Sequence, residues 1–387
     1  MTTTSAWLCI PLLVGLMVGA PLLSTGCVLN LGGTTDGSGE DNHVLGSRAS
    51  EGCTAAVESW PDLVAAADLS AASAIYEGGA LQSYIRASDE ISERSDDAAI
   101  VAALAGEQLS AIQPMIEVAF IARTRTELKR PESLVEDPYA AWDEAYCLWG
   151  GALRDFGLAA EVAGDPSFDR NIISTIDIAF IDGLAGIEGE PPMASIDDWE
   201  VPPARQRIVK TLFRALHRLV IDEATSGQNE PAAARRALEH FQGLEDRLDG
   251  RNTPGIEIIE SMLSEPTTLD IGELRRQLNI AFAKRTRKYC SEALESGSLG
   301  VPSGYKGAVE GRTYQTLITP DMVALLGADF DANAYLATWD AWVVAIEKGD
   351  DVATATELSK TLVEWNCAYQ SALGIAECTA SEDEAQP

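Results

Sequence analysis

The sequence predicts an all-α protein, a multi-helix bundle in two helical halves, on three observations. Apolar residues recur at steps of three and four along most of the chain, the spacing of one helix face. No convincing run alternates apolar and polar residues, as a half-buried strand would. The stretch Asp137 to Phe156, DPYAAWDEAYCLWGGALRDF, places Tyr139, Trp142, Tyr146, Trp149, Leu153 and Phe156 on a single helical stripe. Core packing is the plain reading of that stripe, because Trp and Tyr bury a large apolar body and need only one polar atom satisfied.

Taken in order, Ala6 to Leu23 is apolar, broken by Pro11 and Pro21, and runs into Ser24, Thr25, Gly26 and Cys27. It is short for a membrane span, which needs about 20 apolar residues, and reads as an export signal. Its end resembles a bacterial lipoprotein signal. That resemblance implies a signal peptide over 1–26, lipidation of Cys27, and a protein anchored to a membrane of the cell envelope, facing the periplasm or the exterior. Residues 27–50 are rich in Gly, Ser, Thr, Asp and Asn and read as a flexible tether with a reach of roughly 25 to 30 Å.

The body then reads as helix after helix. An N-terminal half, 51–185, carries helical spacing over Val57 to Ile91, Asp97 to Lys129, Tyr139 to Val162 and Asp169 to Leu184. The stretch 186–203, GIEGEPPMASIDDWEVPP, is dense in Gly, Pro and acid, has no period, and is expected to connect the two halves. The C-terminal half, 204–378, continues over Ala204 to Thr225, Pro231 to Leu248, Pro254 to Leu263, Asp270 to Glu295, Ala332 to Lys348 and Val352 to Ile375, and 379–387 is an acidic tail. Tyr139, Trp142 and Asp143 are echoed by Tyr335, Trp339 and Asp340, a weak sign of internal duplication at unequal spacing.

The chain has 28 Lys and Arg against 60 Asp and Glu, a formal charge of −32, and none of these residues lies in the first 26. So acidic a surface argues against nucleic acid as a partner. With Cys27 lipidated, the cysteines after it are Cys53, Cys147, Cys290, Cys367 and Cys378, an odd number, so one is left over. In an oxidising compartment the rest pair, and Cys367 with Cys378 is the cheapest local closure.

Catalytic signatures are missing. There is no H-E-x-x-H helix, E-x-x-H repeat, G-x-S-x-G elbow or P-loop, and the only histidines are His43, His217 and His240. That shortage disfavours a multi-histidine metal site and a triad hydrolase. Two patterns remain. Arg207, Lys210, Arg214 and Arg218 step along one helix, and Arg275, Arg276, Lys284, Arg285, Arg287 and Lys288 crowd another. In so acidic a protein they either pair with acidic helices or line a cleft for an anionic ligand. The other pattern is oxygen-rich: Asp143 and Glu144 beside the aromatic stripe, Glu310 four residues before Tyr314, and Asp340. Carboxylate and phenolate oxygens suit hard cations, so these five are the candidate metal ligands.

The phrases AWDEAYCLWGGAL (Ala141 to Leu153) and EGRTYQTLITP (Glu310 to Pro320) resemble segments of the low-iron-inducible, iron-assimilating extracytoplasmic proteins of algae and their bacterial relatives. The resemblance implies a helical, secreted protein associated with iron uptake, and makes ferric iron the expected metal. It assigns no site residue. The function expected is therefore that of a non-enzymatic, membrane-anchored binding protein, with iron as its ligand; the alternative is a structural or protein-interaction module displayed on the envelope.

Overall fold

The fold follows from where the helical pattern is interrupted. The computed structural model describes residues 43–133, 137–168, 170–189 and 194–380; the segment read as a signal, and Cys27 with it, lie outside the described residues. In the first half the long periodic stretches break at their polar and glycine residues. Ser50 caps α1 (Glu51–Val64) by accepting from the Cys53 amide, Asp68 caps α2 (Leu69–Tyr76), and α3 (Ala80–Ser92) follows Gly78, whose φ of 74° suits glycine. The 97–129 stretch divides at Gly106 into α4 (Asp96–Ala105) and α5 (Leu109–Lys129).

The aromatic stripe forms one continuous rod, α6 (Pro138–Leu148), a π turn at Trp149–Leu153, and α7 (Arg154–Ala163). Asp137 caps it and Pro138 starts it, where a missing N–H costs nothing. The π turn carries Gly150 and Gly151, and a Cβ on Gly151 would run into Val57 of α1. The extra residue and the missing side chain together let α1 lie close. Trp142 donates to the Phe180 carbonyl at 3.0 Å and Trp149 to Asp177 at 2.8 Å, which fastens the rod to α8 (Ile172–Ala185). The stripe is core, as expected.

The connection holds a two-residue antiparallel ladder, β1 (Ile187–Glu188) with β2 (Ser195–Ile196). It leads into α9 (Val201–Gly227), which is buried along most of its length and packs on α5, α7 and α8. The remaining elements are α10 (Pro231–Gln242), α11 (Glu245–Leu248), α12 (Thr253–Ser264), α13 (Ile271–Tyr289), α14 (Glu292–Glu295), α15 (Pro302–Leu326), α16 (Ala332–Lys348) and α17 (Val352–Ala372). α9 also packs on α10, α13 and α15, so the two halves share one core, and the described residues from Val44 onward form a single compact unit. The protein is all-α.

α15 is the element the sequence did not suggest. Its glycines weaken the helical signal, yet they serve close packing: a Cβ on Gly311 would overlap Tyr289 and Trp339. Disulfides join Cys53 to Cys147 and Cys367 to Cys378, leaving Cys290 as a buried thiol. The second is the expected local closure. The first ties α1 to α6 across 94 residues, a loop length for which loop-closure entropy alone gives a stabilisation of about 4.7 kcal/mol. A polar clamp braces the centre: buried His240 of α10 bonds Glu223 of α9 at 2.7 Å and Glu117 of α5 at 2.9 Å.

Candidate functional site

The five oxygen-bearing candidates fall into three separate places. Asp143 and Glu144 are buried, and donors from the chain already surround them. The two Asp143 oxygens accept from the amides of Gly46 and Arg48, both at 2.8 Å. Glu144 accepts from the Ser50 amide at 2.8 Å, the Ser50 hydroxyl at 3.0 Å and the Tyr84 hydroxyl at 2.8 Å. These carboxylates therefore hold Val44 to Ser50, the end of the stretch expected to be a flexible tether, against α6. The physical reason is plain: free backbone N–H groups in a turn are strong donors, and a buried carboxylate needs several.

Glu310 and Tyr314 do come together, but around a cation of the protein. Lys210 of α9 lies 2.9 Å from Glu310 and 4.9 Å from the Tyr314 ring centre. Burial pushes the Glu310 carboxyl up, but the Lys210 charge and a hydrogen bond from Tyr289 outweigh it and hold the group below its usual range. Asp340 is on the surface, its side chain 64% exposed, paired with Arg312 at 2.6 Å. Among the described residues no group of three or more His, Cys, Asp or Glu is placed to hold a metal ion.

Lys210 leads instead to a different site. It lines a cleft of about 720 Å³ between α5, α9, α11 and the end of α3, together with Arg94, Arg125, Lys129, Arg130, Arg205 and Arg247. Among the described residues seven basic side chains line this cleft against two acidic ones, Glu93 and Asp246, in a protein of charge −32. Further carboxylates stand behind the lining: Asp96 on Arg94, Glu127 on Arg130, Glu132 on Arg205 and Glu310 on Lys210. They offset much of the cations' charge, and the Glu132 and Glu310 side chains are at least as accessible as the Arg205 and Lys210 they meet.

The core supports this concentration of charge with one aromatic ring. Phe213, fully buried on α9, has Arg125 at 4.9 Å, Arg247 at 5.2 Å and Lys210 at 5.5 Å from its centre, so the negative faces of its π system offset repulsion among three cations. Asp246 is shared, bonding Arg125 at 2.7 Å and Arg247 at 2.9 Å. Burial raises its carboxyl, but the hydrogen bonds from Arg247 and the charge of Arg125 prevail and hold it at about 2. Arg285 of α13 donates to the Arg247 carbonyl at 2.8 Å and fixes the short α11.

Both readings of the basic series have a counterpart in the structure. Arg207 pairs with Asp182, Arg276 with Glu273 and Lys288 with Glu292, while Lys210, itself paired with Glu310, also lines the cleft. Sequence reasoning missed Arg94, Arg125, Lys129, Arg130, Arg205 and Arg247. They come from four separate segments, and the i,i+4 pair Arg125 and Lys129 is the only local spacing among them that could have pointed here. The fold and the cleft together define the class: an all-α protein with a basic cleft set into an acidic body. No protein-family model, no curated protein and no solved structure matches the chain.

Proposed function

We propose that this is an exported, lipid-anchored binding protein that captures a small polyanion in the basic cleft. The observation that carries the reading is the concentration of seven cations in one cleft of a strongly acidic chain. Grouping like charges costs energy, and Glu93, Asp96, Glu127, Glu132, Asp246 and Glu310 offset most but not all of it, so the remaining positive charge is accounted for by an anionic ligand. Arginine forks match phosphate and carboxylate oxygens in pairs, and the acidic exterior repels long nucleic acids while leaving a small anion free to reach the cleft.

The acid shared by Arg125 and Arg247 is suited to holding those cations in place rather than to taking a proton. Asp246, held at about 2, is a poor proton acceptor near neutral pH. Export is supported by the signal-like N-terminus and by two disulfides, bonds that persist in oxidising compartments. The iron association implied by the family resemblance finds less support, since the five oxygen candidates lie apart. Isothermal titration with pyrophosphate and citrate tests the proposal: saturable binding that weakens with salt and is lost in Lys210→Gln is expected. If neither anion binds while ferric or calcium ion does, the metal reading takes its place; if nothing binds, the envelope-interaction alternative stands. Intact-mass analysis showing cleavage before Cys27 and two kinds of acyl chain on it tests the anchor.

A further inference from the structure

A second basic pocket, of about 490 Å³, lies beside the cleft and shares Arg130 with it. Its walls include Arg48, Arg123, Ser50, Ser83 and Glu144. Arg123 is only 7% exposed; its guanidinium lies 5.5 Å from the Tyr84 ring centre and its Nη2 meets Glu127 at 2.7 Å and Glu144 at 3.8 Å, yet its Nε and Nη1 have no hydrogen-bond partner among the described residues. Leaving guanidinium N–H groups buried and unmatched costs free energy, and here they belong to a side chain that lines an open pocket. Glu127 completes the connection: it is fully buried and bridges Arg123 to Arg130, which it meets at 2.6 Å. Arg130 thus lines both pockets, and Glu127 ties it to Arg123.

Resting on the cleft reading, we infer that the two pockets form one track for a linear chain of phosphates, with Arg123 as its far subsite. Two features select phosphate. The lining carries charge at high density, which matches a ligand with a charge on every unit. Among the described residues no aromatic side chain lines the cleft and Tyr84 is the one aromatic that lines the second pocket, so these walls offer no run of stacking surfaces for successive sugar rings or bases.

Titration of the full protein with pyrophosphate and with a linear polyphosphate of about ten units tests this, because linking anionic groups that reach both pockets multiplies affinity. The chain is expected to bind at least about tenfold tighter than pyrophosphate. Arg123→Gln should abolish that gain while leaving pyrophosphate affinity unchanged. Arg48→Gln, at a partly exposed wall of the second pocket, should reduce the gain and serves if Arg123→Gln does not fold. If both ligands bind equally and neither variant matters, the far subsite is refuted and the cleft stands. If neither ligand binds, the cleft reading itself has failed. An oligogalacturonate of equal charge that binds as tightly as the phosphate chain would overturn the choice of phosphate.

Discussion

The seam around Asp143 and Glu144 and the cleft around Phe213 are both dense in charge, yet they differ in who supplies the opposite partner. In the seam, buried carboxylates are met by N–H and O–H groups from Gly46, Arg48, Ser50 and Tyr84, all from the same chain. Folding itself completes the coordination of these two carboxylates, so neither needs a ligand of its own, although Arg48, Ser50, Tyr84 and Glu144 also wall the second pocket. In the cleft, guanidinium and ammonium groups from four segments are gathered in one place, and although six of the seven meet a carboxylate of the chain, cations still outnumber those carboxylates. A charged residue is thus informative about function when its partners fall short, whatever its type.

The largest expected effect breaks the seam. Asp143→Ala leaves the amides of Gly46 and Arg48 without their acceptor, and charge-assisted bonds of this kind contribute about 1.5 to 3 kcal/mol each. A loss of about 3 to 5 kcal/mol in denaturant unfolding is expected, with anion affinity in the cleft unchanged. Equal loss of anion binding would show that the two regions are one functional unit and end the contrast.

Next in size is the response to pH of the two buried histidines, one set among acids and the other beside bases. Burial pushes the His240 imidazole down, but the Glu223 charge and hydrogen bonds to Glu117 and Glu223 win and raise it to about 10 from 6.5. The folded protein therefore keeps a proton that the unfolded chain releases between those values. His240 stabilises fully below about 6.5, and that contribution is lost as pH climbs toward about 10. His217 behaves oppositely: burial, with the Arg218 charge, lowers it to about 3. The unfolded chain takes a proton that the folded one refuses, so stability falls as pH drops from about 6.5 toward 3. Unfolding free energy measured across pH should lose its alkaline slope in His240→Gln and part of its acid slope in His217→Gln.

A smaller effect on stability, but the decisive one for function, comes from the cleft. Arg125→Gln leaves Asp246 paired with Arg247, and its partly exposed ion pair is worth at most about 1 kcal/mol. Stability should hardly change, while affinity for pyrophosphate falls about tenfold, the cost of roughly 1.4 kcal/mol. A variant that unfolds easily but binds as before would reverse the roles assigned to the two regions.

Much of the fold was legible because its signal is local. Helical spacing located the periodic stretches, and the aromatic stripe from Tyr139 to Phe156 is buried almost throughout. Helix ends were less so: Gly78 and Gly106 cut stretches that periodicity alone joins, and the glycines of α15 hid a helix that uses Gly311 to approach Tyr289 and Trp339. The cleft was barely legible, since Arg94, Arg125, Arg205 and Arg247 meet only after α3, α5, α9 and α11 pack. Spacing along a chain cannot show convergence in space. For the same reason Asp143 and Asp340, alike in their place beside a Trp, end in opposite environments, one fully buried and one exposed.

The smallest effect is expected at Asp340, and it completes the contrast. Its carboxylate pairs with Arg312 of α15 at 2.6 Å, and the Asp340 side chain is 64% exposed while that of Arg312 is 30% exposed. An exposed pair gains little attraction in water, gives up side-chain freedom and is screened by salt, so it typically contributes between about 0 and 1 kcal/mol. Asp340 lies in neither basic pocket. Asp340→Ala should therefore leave the melting temperature within about 2 °C of the parent and the affinity for pyrophosphate unchanged. A clear fall in binding of any ion in this variant would place α16 in the site, and would return the surface carboxylates to the centre of the functional question.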